Sequence, residues 1–409
     1  NLYTILIALF SVLFFYLIFI FYKRKHYTFF FGLLFFLVNI FLMLQFFPVG
    51  IAFMADRFSY IASIGIFLVV SYSFEKLFLK YSNYKRHLMA FALIYFHLLG
   101  FNTIIRNEVW ANSINLWNDT IKKNPNNATA YINRGNAFKK IGNFQKAISD
   151  YNMSIQINKT IPEAYYSRGL IYMELSDYNS AINDFQSSLK INPNYVQALV
   201  QLGNAYYSSG REELSLNIYN QVLNLDSTQS AAYTGIANVY FNKNNIEKAM
   251  ILYNKALKFN PKDADTYYNR ANSNARMGNL EQAIIDYNNA IKYNPNKAIY
   301  YSNRGSTKFF LKDISGALAD LNKAIELEDK KADYYYNRGN VFLYSSKINE
   351  AISDYNKCIE LNPKAGEAYH KRGFANLQSN NKIAACNDFN TALELGYIKA
   401  NNEINKFCK

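Results

Sequence analysis

Five asparagines recur in one register through the last two-thirds of the chain: Asn136, Asn204, Asn238, Asn272 and Asn340, spaced by 34 residues or twice that, with Ser306 in step. A carboxamide both donates and accepts a hydrogen bond, so a row of them suits the backbone of an extended peptide whatever its side chains. Tyr166, Tyr268 and Tyr336 stand four residues before the same register and would add aromatic contact area. The competing explanation is compositional, because Asn fills many other polar positions of this chain. A second recurring set is charged. Arg134, Arg168, Arg270, Arg304, Arg338 and Arg372 are each followed sixteen residues later by an acid: Asp150, Asp184, Asp286, Asp320, Asp354 and Asp388. Two units lack both members and carry Leu202 with Ile218, and Ile236 with Leu252. This joint exchange points to direct contact between two helices of one unit, in a structural ion pair rather than a catalytic one.

Nothing else has the spacing of a reactive centre. His26, His87, His97 and His370 are scattered, and there is no HExxH, GxSxG or phosphate-binding glycine loop. No catalytic residue, metal ligand or cofactor is expected. Cys358, Cys386 and Cys408 show no CxxC spacing, so neither zinc nor a disulfide framework is expected, and Cys358 reads as a small buried residue. Asn118, Asn127, Asn152 and Asn158 lie in Asn-x-Ser/Thr sequons that Asn-rich sequence produces by chance.

The elements that position these residues follow from the period. Gly135, Gly169, Gly203, Ala237, Ala271, Gly305, Gly339 and Gly373 form a column of small residues in steps of 34. A further small column (Ala147 to Ala385) and a mostly aromatic one (Tyr151 to Phe389) follow at offsets of twelve and sixteen. Each unit reads as two short helices, for example 333–345 and 349–361. Small residues let helices cross closely, aromatics fill the space between units, and Pro193, Pro261, Pro295 and Pro363 mark unit ends. One unit cannot bury its own apolar face, so the units must stack. This pattern resembles the tetratricopeptide repeat (TPR). The resemblance implies an all-α solenoid, a right-handed superhelix whose first helices line a concave groove. It would span eight repeats over 129–396 and a capping helix over 397–409. The segment 107–128 reads as a linker and half-repeat, since Ser113, Trp117 and Pro125 extend the columns upstream. The Asn column is similar to the Asn ladder in the TPR superhelix of O-GlcNAc transferase. That implies a peptide-binding groove of Asn136, Asn204, Asn238, Asn272 and Asn340 with Tyr166, Tyr268 and Tyr336.

Apolar residues concentrate before Arg106. Runs over 2–22, 28–47, 60–79 and 88–105 read as four N-terminal transmembrane helices in a membrane domain 1–106. A cleaved signal peptide is the rival for the first run, weakened by its length and the absence of a basic start. The basic loops 23–26 and 80–87 fall on one side, which the positive-inside rule makes cytoplasmic. The expectation is therefore an integral membrane protein with its TPR domain on the extracytoplasmic side. The net charge of +14 is assigned to solenoid surfaces and interspan loops, and no nucleic acid partner is expected. The stretch MADRFSYIASIG (54–65) resembles a segment of bacterial multispanning proteins with C-terminal TPRs, and of transmembrane-and-TPR O-mannosyltransferases of the GT-C class. That likeness implies a lipid-phosphate role for Arg57, against a salt bridge with Asp56 or an interfacial anchor. Ala62 stands where that family commonly has Pro, and its catalytic acids have no counterpart here. Because the first residue is Asn, the chain reads as a piece of a longer one. Two functions are thus expected: a membrane-anchored TPR scaffold for peptide or protein partners, or the C-terminal part of a glycosyltransferase whose repeats present acceptor protein.

Overall fold

The computed structural model describes residues 14–43 and 56–408, which form helices and their connecting turns. The chain divides into two units, Asn1–Asn112 and Ser113–Lys409. The first contains α1 (residues 14–23 of it described), α2 (Tyr27–Met43), α3 (Asp56–Lys80), a 3-10 turn (Ser82–Tyr84) and α4 (Lys85–Trp110). α2 and α3 pack together at a pair of glycines. A Cβ on Gly65 would stand 2.3 Å from the Gly32 carbonyl oxygen, so only glycine permits this crossing.

The expectation of four transmembrane helices is corrected here. Among the described residues no helix is long and apolar enough to cross a membrane. Residues 2–13 of the first expected span, and 44–47 of the second, lie outside the described residues. α2 carries Thr28 and Asn39 among its apolar residues. α3 carries Asp56, Arg57, Glu75, Lys76 and Lys80, with Ser59, Ser63, Ser71 and Ser73 between them. α4 carries Lys85, Arg86, Arg106 and Glu108 as well as His87, His97 and Asn102. Polar residues inside these helices dilute what looked like continuous apolar runs. The integral-membrane localisation and the extracytoplasmic placement of the repeats fall with the spans, since the positive-inside rule has nothing left to orient.

The second unit opens with α5 (Ser113–Lys123). Eight helix pairs follow: α6 (Ala128–Lys140) with α7 (Phe144–Ile157), α8 (Pro162–Glu174) with α9 (Tyr178–Ile191), α10 (Val196–Ser208) with α11 (Glu212–Leu225), α12 (Ser230–Asn242) with α13 (Ile246–Phe259), α14 (Ala264–Arg276) with α15 (Leu280–Tyr293), α16 (Ala298–Phe310) with α17 (Ile314–Leu327), α18 (Ala332–Tyr344) with α19 (Ile348–Leu361), and α20 (Gly366–Gln378) with α21 (Lys382–Glu394). α22 (Ala400–Phe407) follows α21. Each first helix packs on its own second helix, and each second helix on the next first helix.

The small and aromatic columns prove to be two sides of one contact. A Cβ on Gly135, Gly169, Gly203, Gly339 or Gly373 would stand 2.5 to 2.8 Å from the ring of Tyr151, Phe185, Tyr219, Tyr355 or Phe389 respectively. Those rings are fully or almost fully buried. Between the two helices of every pair the chain reverses through one left-handed residue: Gly142, Ser176, Gly210, Asn244, Gly278, Lys312, Ser346 and Asn380. Asparagine and aspartate then cap the helices. Asn127, Asn143, Asp177, Asn245, Asp263, Asp313 and Asn381 each accept a hydrogen bond from a first-turn backbone N–H. At the ends of second helices Asn158, Asn192, Asn260, Asn294 and Asn362 accept from the N–H two residues on, closing the turn into the next unit. Much of the high Asn content is therefore local backbone chemistry.

The C-terminal end differs from expectation in one covalent feature. Cys386 of α21 and Cys408, just past α22, form a disulfide. Cys358 is free and buried, and burial pushes its thiol up to about 11. Beneath α22 lies His370, 7 % exposed and packed against the rings of Phe374, Phe389 and Tyr397. Neither imidazole nitrogen has a hydrogen-bond partner, and Glu403 Oε2 stands 3.9 Å away, also without one. Burial lowers the His370 pKa, opposed by Glu403 and reinforced by Lys371 and Lys399. A depressed folded-state value means that the unfolded chain takes up the proton first as pH falls. Stability contributed here is complete above the ordinary histidine value of about 6.5 and is lost as pH drops below it. Protection of the α20 and α22 amides, taken relative to the intrinsic exchange rate at each pH, should fall between neutral and mildly acidic pH, and His370→Phe should flatten that dependence. An unchanged profile in the variant would assign the loss to other groups.

Candidate functional site

The Asn column turns out to have a fixed internal partner. Tyr151, Tyr219, Tyr253, Tyr287 and Tyr355 donate their hydroxyls to the Oδ1 atoms of Asn136, Asn204, Asn238, Asn272 and Asn340, at 2.6 to 2.8 Å. Donor and acceptor lie on the two helices of one unit. Burial raises the pKa of each of these phenols, which keeps them protonated and donating. The sequence carries the mark of this bond, and our reading missed it. Where the aromatic column loses its hydroxyl the Asn is lost too: Phe185 goes with Leu170, Phe389 with Phe374, and Leu321 with Ser306.

Further amides tie neighbouring units together. Asn269 Nδ2 donates to Asn238 Oδ1 at 3.1 Å, and Asn303 Nδ2 to Asn272 Oδ1 at 3.1 Å and to the Tyr268 hydroxyl at 3.0 Å. Asn242 Nδ2 donates to the Tyr207 hydroxyl at 2.9 Å. The result is an uncharged strip of carboxamides and phenols across α10, α12, α14 and α16. Asn136 is exposed, and Asn204, Asn238, Asn272 and Asn340 are half-buried. Asn204 Nδ2 donates within its own helix to Gln201 at 3.2 Å. Asn238 Nδ2 makes no hydrogen bond among the described residues.

The three tyrosines of the expected groove do not share one environment. Burial raises the Tyr268 pKa, while the adjacent Asn272 and Asn303 pull it down. Its ring stacks on Tyr300, which donates a short hydrogen bond to Asp265. Tyr336 is pushed up to about 12 by burial, against a lowering contribution from Asn340. Tyr166 is different. Leu170 holds the Asn position of its helix, and the ring packs against Phe185 and Tyr195 in an apolar cluster. The structure thus places Tyr268 in the amide strip, Tyr336 beside Asn340 on α18, and Tyr166 among apolar rings. Arg57 is the second residue of α3, and its side chain lies outside the described ones.

The six Arg–Asp pairs each meet across the two helices of one unit. Arg338 donates Nε to Asp354 Oδ2 at 2.8 Å and Nη2 to Oδ1 at 2.7 Å. Each of the six Arg residues also donates Nη1 backwards, to Asn118, Asn152, Asn254, Asn288, Asn322 or Asn356 of the preceding second helix, at 2.5 to 2.8 Å. That Asn column, sixteen residues before each Arg, escaped the sequence reading although its spacing was visible. It makes the Arg a link between units. At α10 and α12, where Leu202 and Ile236 replace Arg, apolar clusters containing Leu202 with Ile218 and Ile236 with Leu252 take over.

Elsewhere, an apolar cavity of about 660 Å³ lies in the first unit, lined by Phe67, Val70, Phe74, Phe78, Met89 and Leu93 with Ser71 and Glu75. It lacks the converging polar groups of a specific small-molecule site.

Comparison with known proteins decides what the repeats are. Tetratricopeptide-repeat family models match residues 128–160, 162–195, 264–297 and 332–365, and others of the same description match 196–229 and 237–278. The repeats are tetratricopeptide repeats. These family matches lie within 128–365 and do not reach the 54–65 stretch on which the glycosyltransferase resemblance rested. Among solved structures, the TPR solenoid is similar to the Cut9–Hcn1 hetero-tetramer of the APC/C, at 13 % identity and a TM-score of 0.56, over 70 % of this chain and 56 % of that one. The chain thus spans a little over half the length of that structure's chain. YrrB, a TPR protein with an unusual peptide-binding site, aligns at 24 % identity and a TM-score of 0.38, over 46 % of this chain and 96 % of its own. MamA aligns at 27 % identity and 0.38, over 41 % and 97 %. No curated protein sequence matches the chain.

Proposed function

We propose that this TPR array is a scaffold that binds an extended polypeptide along the first helices, with the amide strip of α10, α12, α14 and α16 as its centre. The observation that carries this reading is the Tyr–Asn bond. A buried hydroxyl occupies each Oδ1 and fixes the plane of the carboxamide. What such an amide can still offer a ligand is its Nδ2 donor, which in Asn204 must first leave Gln201 of the same helix. The expected contact is therefore from Asn Nδ2 to a ligand backbone carbonyl, independent of ligand side chains. Donors held rigid before binding lose little entropy on contact. The binding residues proposed are Asn136, Asn204, Asn238, Asn272 and Asn340, with Tyr268 and Tyr336 as flanking rings and Tyr166 as an apolar wall beyond the strip.

The test must remove the amides without orphaning the phenols. We would replace Asn238 and Asn272 by Ala together with Tyr253→Phe and Tyr287→Phe, which deletes both partners of each bond. Removing both partners of a buried hydrogen bond is close to neutral for stability, and Asn269 and Asn303, which also donate to these two amides, are only half-buried and can turn to water. The wild-type chain should enrich peptides from a library of random short sequences, and a photo-crosslinking residue at Asn242 should attach to them. The paired variant should lose most of that capture. Enrichment of nothing by the wild type, or equal capture by both proteins, would rule the groove out.

A further inference from the structure

We propose that the Cys386–Cys408 disulfide is a redox latch that holds α22 against α21, and that its reduction frees this helix and bares the face beneath. α22 begins 34 residues after α20, so it occupies the place of the first helix of a further repeat. It covers the surface that every other unit hands to its successor: Ala385, Phe389 and Ala392 of α21, reached by Ala400, Ile404 and Phe407. Unlike the other first helices, α22 has 8 residues rather than 13. A helix that short is not stable by itself in water, so its position depends on tertiary contacts. The disulfide supplies the covalent one, from the middle of α21 to the residue after α22. Both sulfur-bearing residues are partly exposed, whereas Cys358 is buried at 3 % exposure. A second feature marks the same interface as loosely satisfied. His370 beneath α22 and Glu403 Oε2 on its buried side have no hydrogen-bond partners.

The reaction is thiol–disulfide exchange with an external dithiol. One thiolate of the dithiol attacks a sulfur of the Cys386–Cys408 bond, and the other sulfur leaves as a thiolate that takes up a proton. The second thiol of the reagent then displaces the remaining protein thiolate, which is also protonated. Two protein thiols and one cyclic disulfide result, and two electrons pass to the protein.

Hydrogen exchange on the full chain, with and without dithiothreitol, tests the latch. Non-reducing peptide mapping of air-oxidised protein should recover Cys386 and Cys408 as one linked species. On reduction the amides of Ala400–Phe407 should exchange about a hundredfold faster, the order set by removing a cross-link over a loop of this length. Exchange in α18 and α19 should not change. Cys386→Ser should exchange as the reduced protein does, and dithiothreitol should not alter it. Equal exchange of α22 in oxidised and reduced protein would overturn the proposal. So would free thiols at both positions after oxidation, or a loss of protection spread over the whole array.

Discussion

Arg338→Leu should loosen the α18–α19 pair by about 3–5 kcal/mol, because it leaves the Asp354 carboxylate buried without its counter-ion. Asp354 is 4 % exposed and receives two hydrogen bonds from this one guanidinium. The reverse change is expected to be milder. The Arg338 side chain keeps 21 % of its surface in water and retains Asn322 as an acceptor, so Asp354→Ile leaves a cation that can still be solvated. The double substitution should recover most of the loss, since replacing a buried pair by apolar groups of similar size is often close to neutral. The chain contains that replacement already. Leu202 is 3 % exposed and packs in one apolar cluster with Ile218. A repeat array need not melt as one cooperative block, so amide exchange in α18 and α19 is a better readout than a global melting temperature. Additive losses in the double variant would mean that the side chains do not interact.

The second large effect concerns the amides. On sequence grounds alone, Asn204, Asn238 and Asn272 could be changed to Ala with the melting temperature nearly untouched. The structure corrects that expectation. Each substitution removes the acceptor of a phenol that is at most 2 % exposed. Leaving a buried donor unsatisfied costs about 1–3 kcal/mol. The loss should sit at the lower end, because a serine or threonine hydroxyl lies near each phenol: Ser215 by Tyr219, Ser273 by Tyr253 and Thr307 by Tyr287. The triple Ala variant should therefore be clearly destabilised. Adding Tyr219→Phe, Tyr253→Phe and Tyr287→Phe should return most of the stability. If the triple Ala variant exchanges and melts like wild type, the Tyr–Asn bonds do not hold the units.

How much was legible in the sequence depends on whether the signal repeats. The helix pairs, the small-against-aromatic crossings and the Arg–Asp contacts recur at one period, so each unit tests the reading of the others. The same test was available for the Tyr–Asn bond through Leu170 with Phe185 and Phe374 with Phe389, and for the backward Arg contacts through Asn118, Asn152 and their equivalents. Those columns were hidden by composition: Asn also serves as helix cap and turn acceptor, so a column of Asn does not stand out from its background. Non-repeating features were the ones misread. The Cys386–Cys408 link depends on α22 folding back onto α21, which no spacing announces. The N-terminal runs were judged by local hydropathy alone. The charges within α3 and α4 separate apolar helices from helices able to span a bilayer.

The central claim is that rigid amide donors on the first helices hold the backbone of an extended ligand. Its most direct test is the affinity of one captured peptide for two proteins, measured by fluorescence anisotropy at moderate salt. One protein is wild type; the other carries Asn238→Ala, Tyr253→Phe, Asn272→Ala and Tyr287→Phe. Losing two donor contacts should raise Kd at least about tenfold, or some 1.4 kcal/mol, while amide exchange in α12–α15 stays near wild type. An unchanged Kd in a variant that remains folded would contradict the account and return the Asn column to a purely internal role.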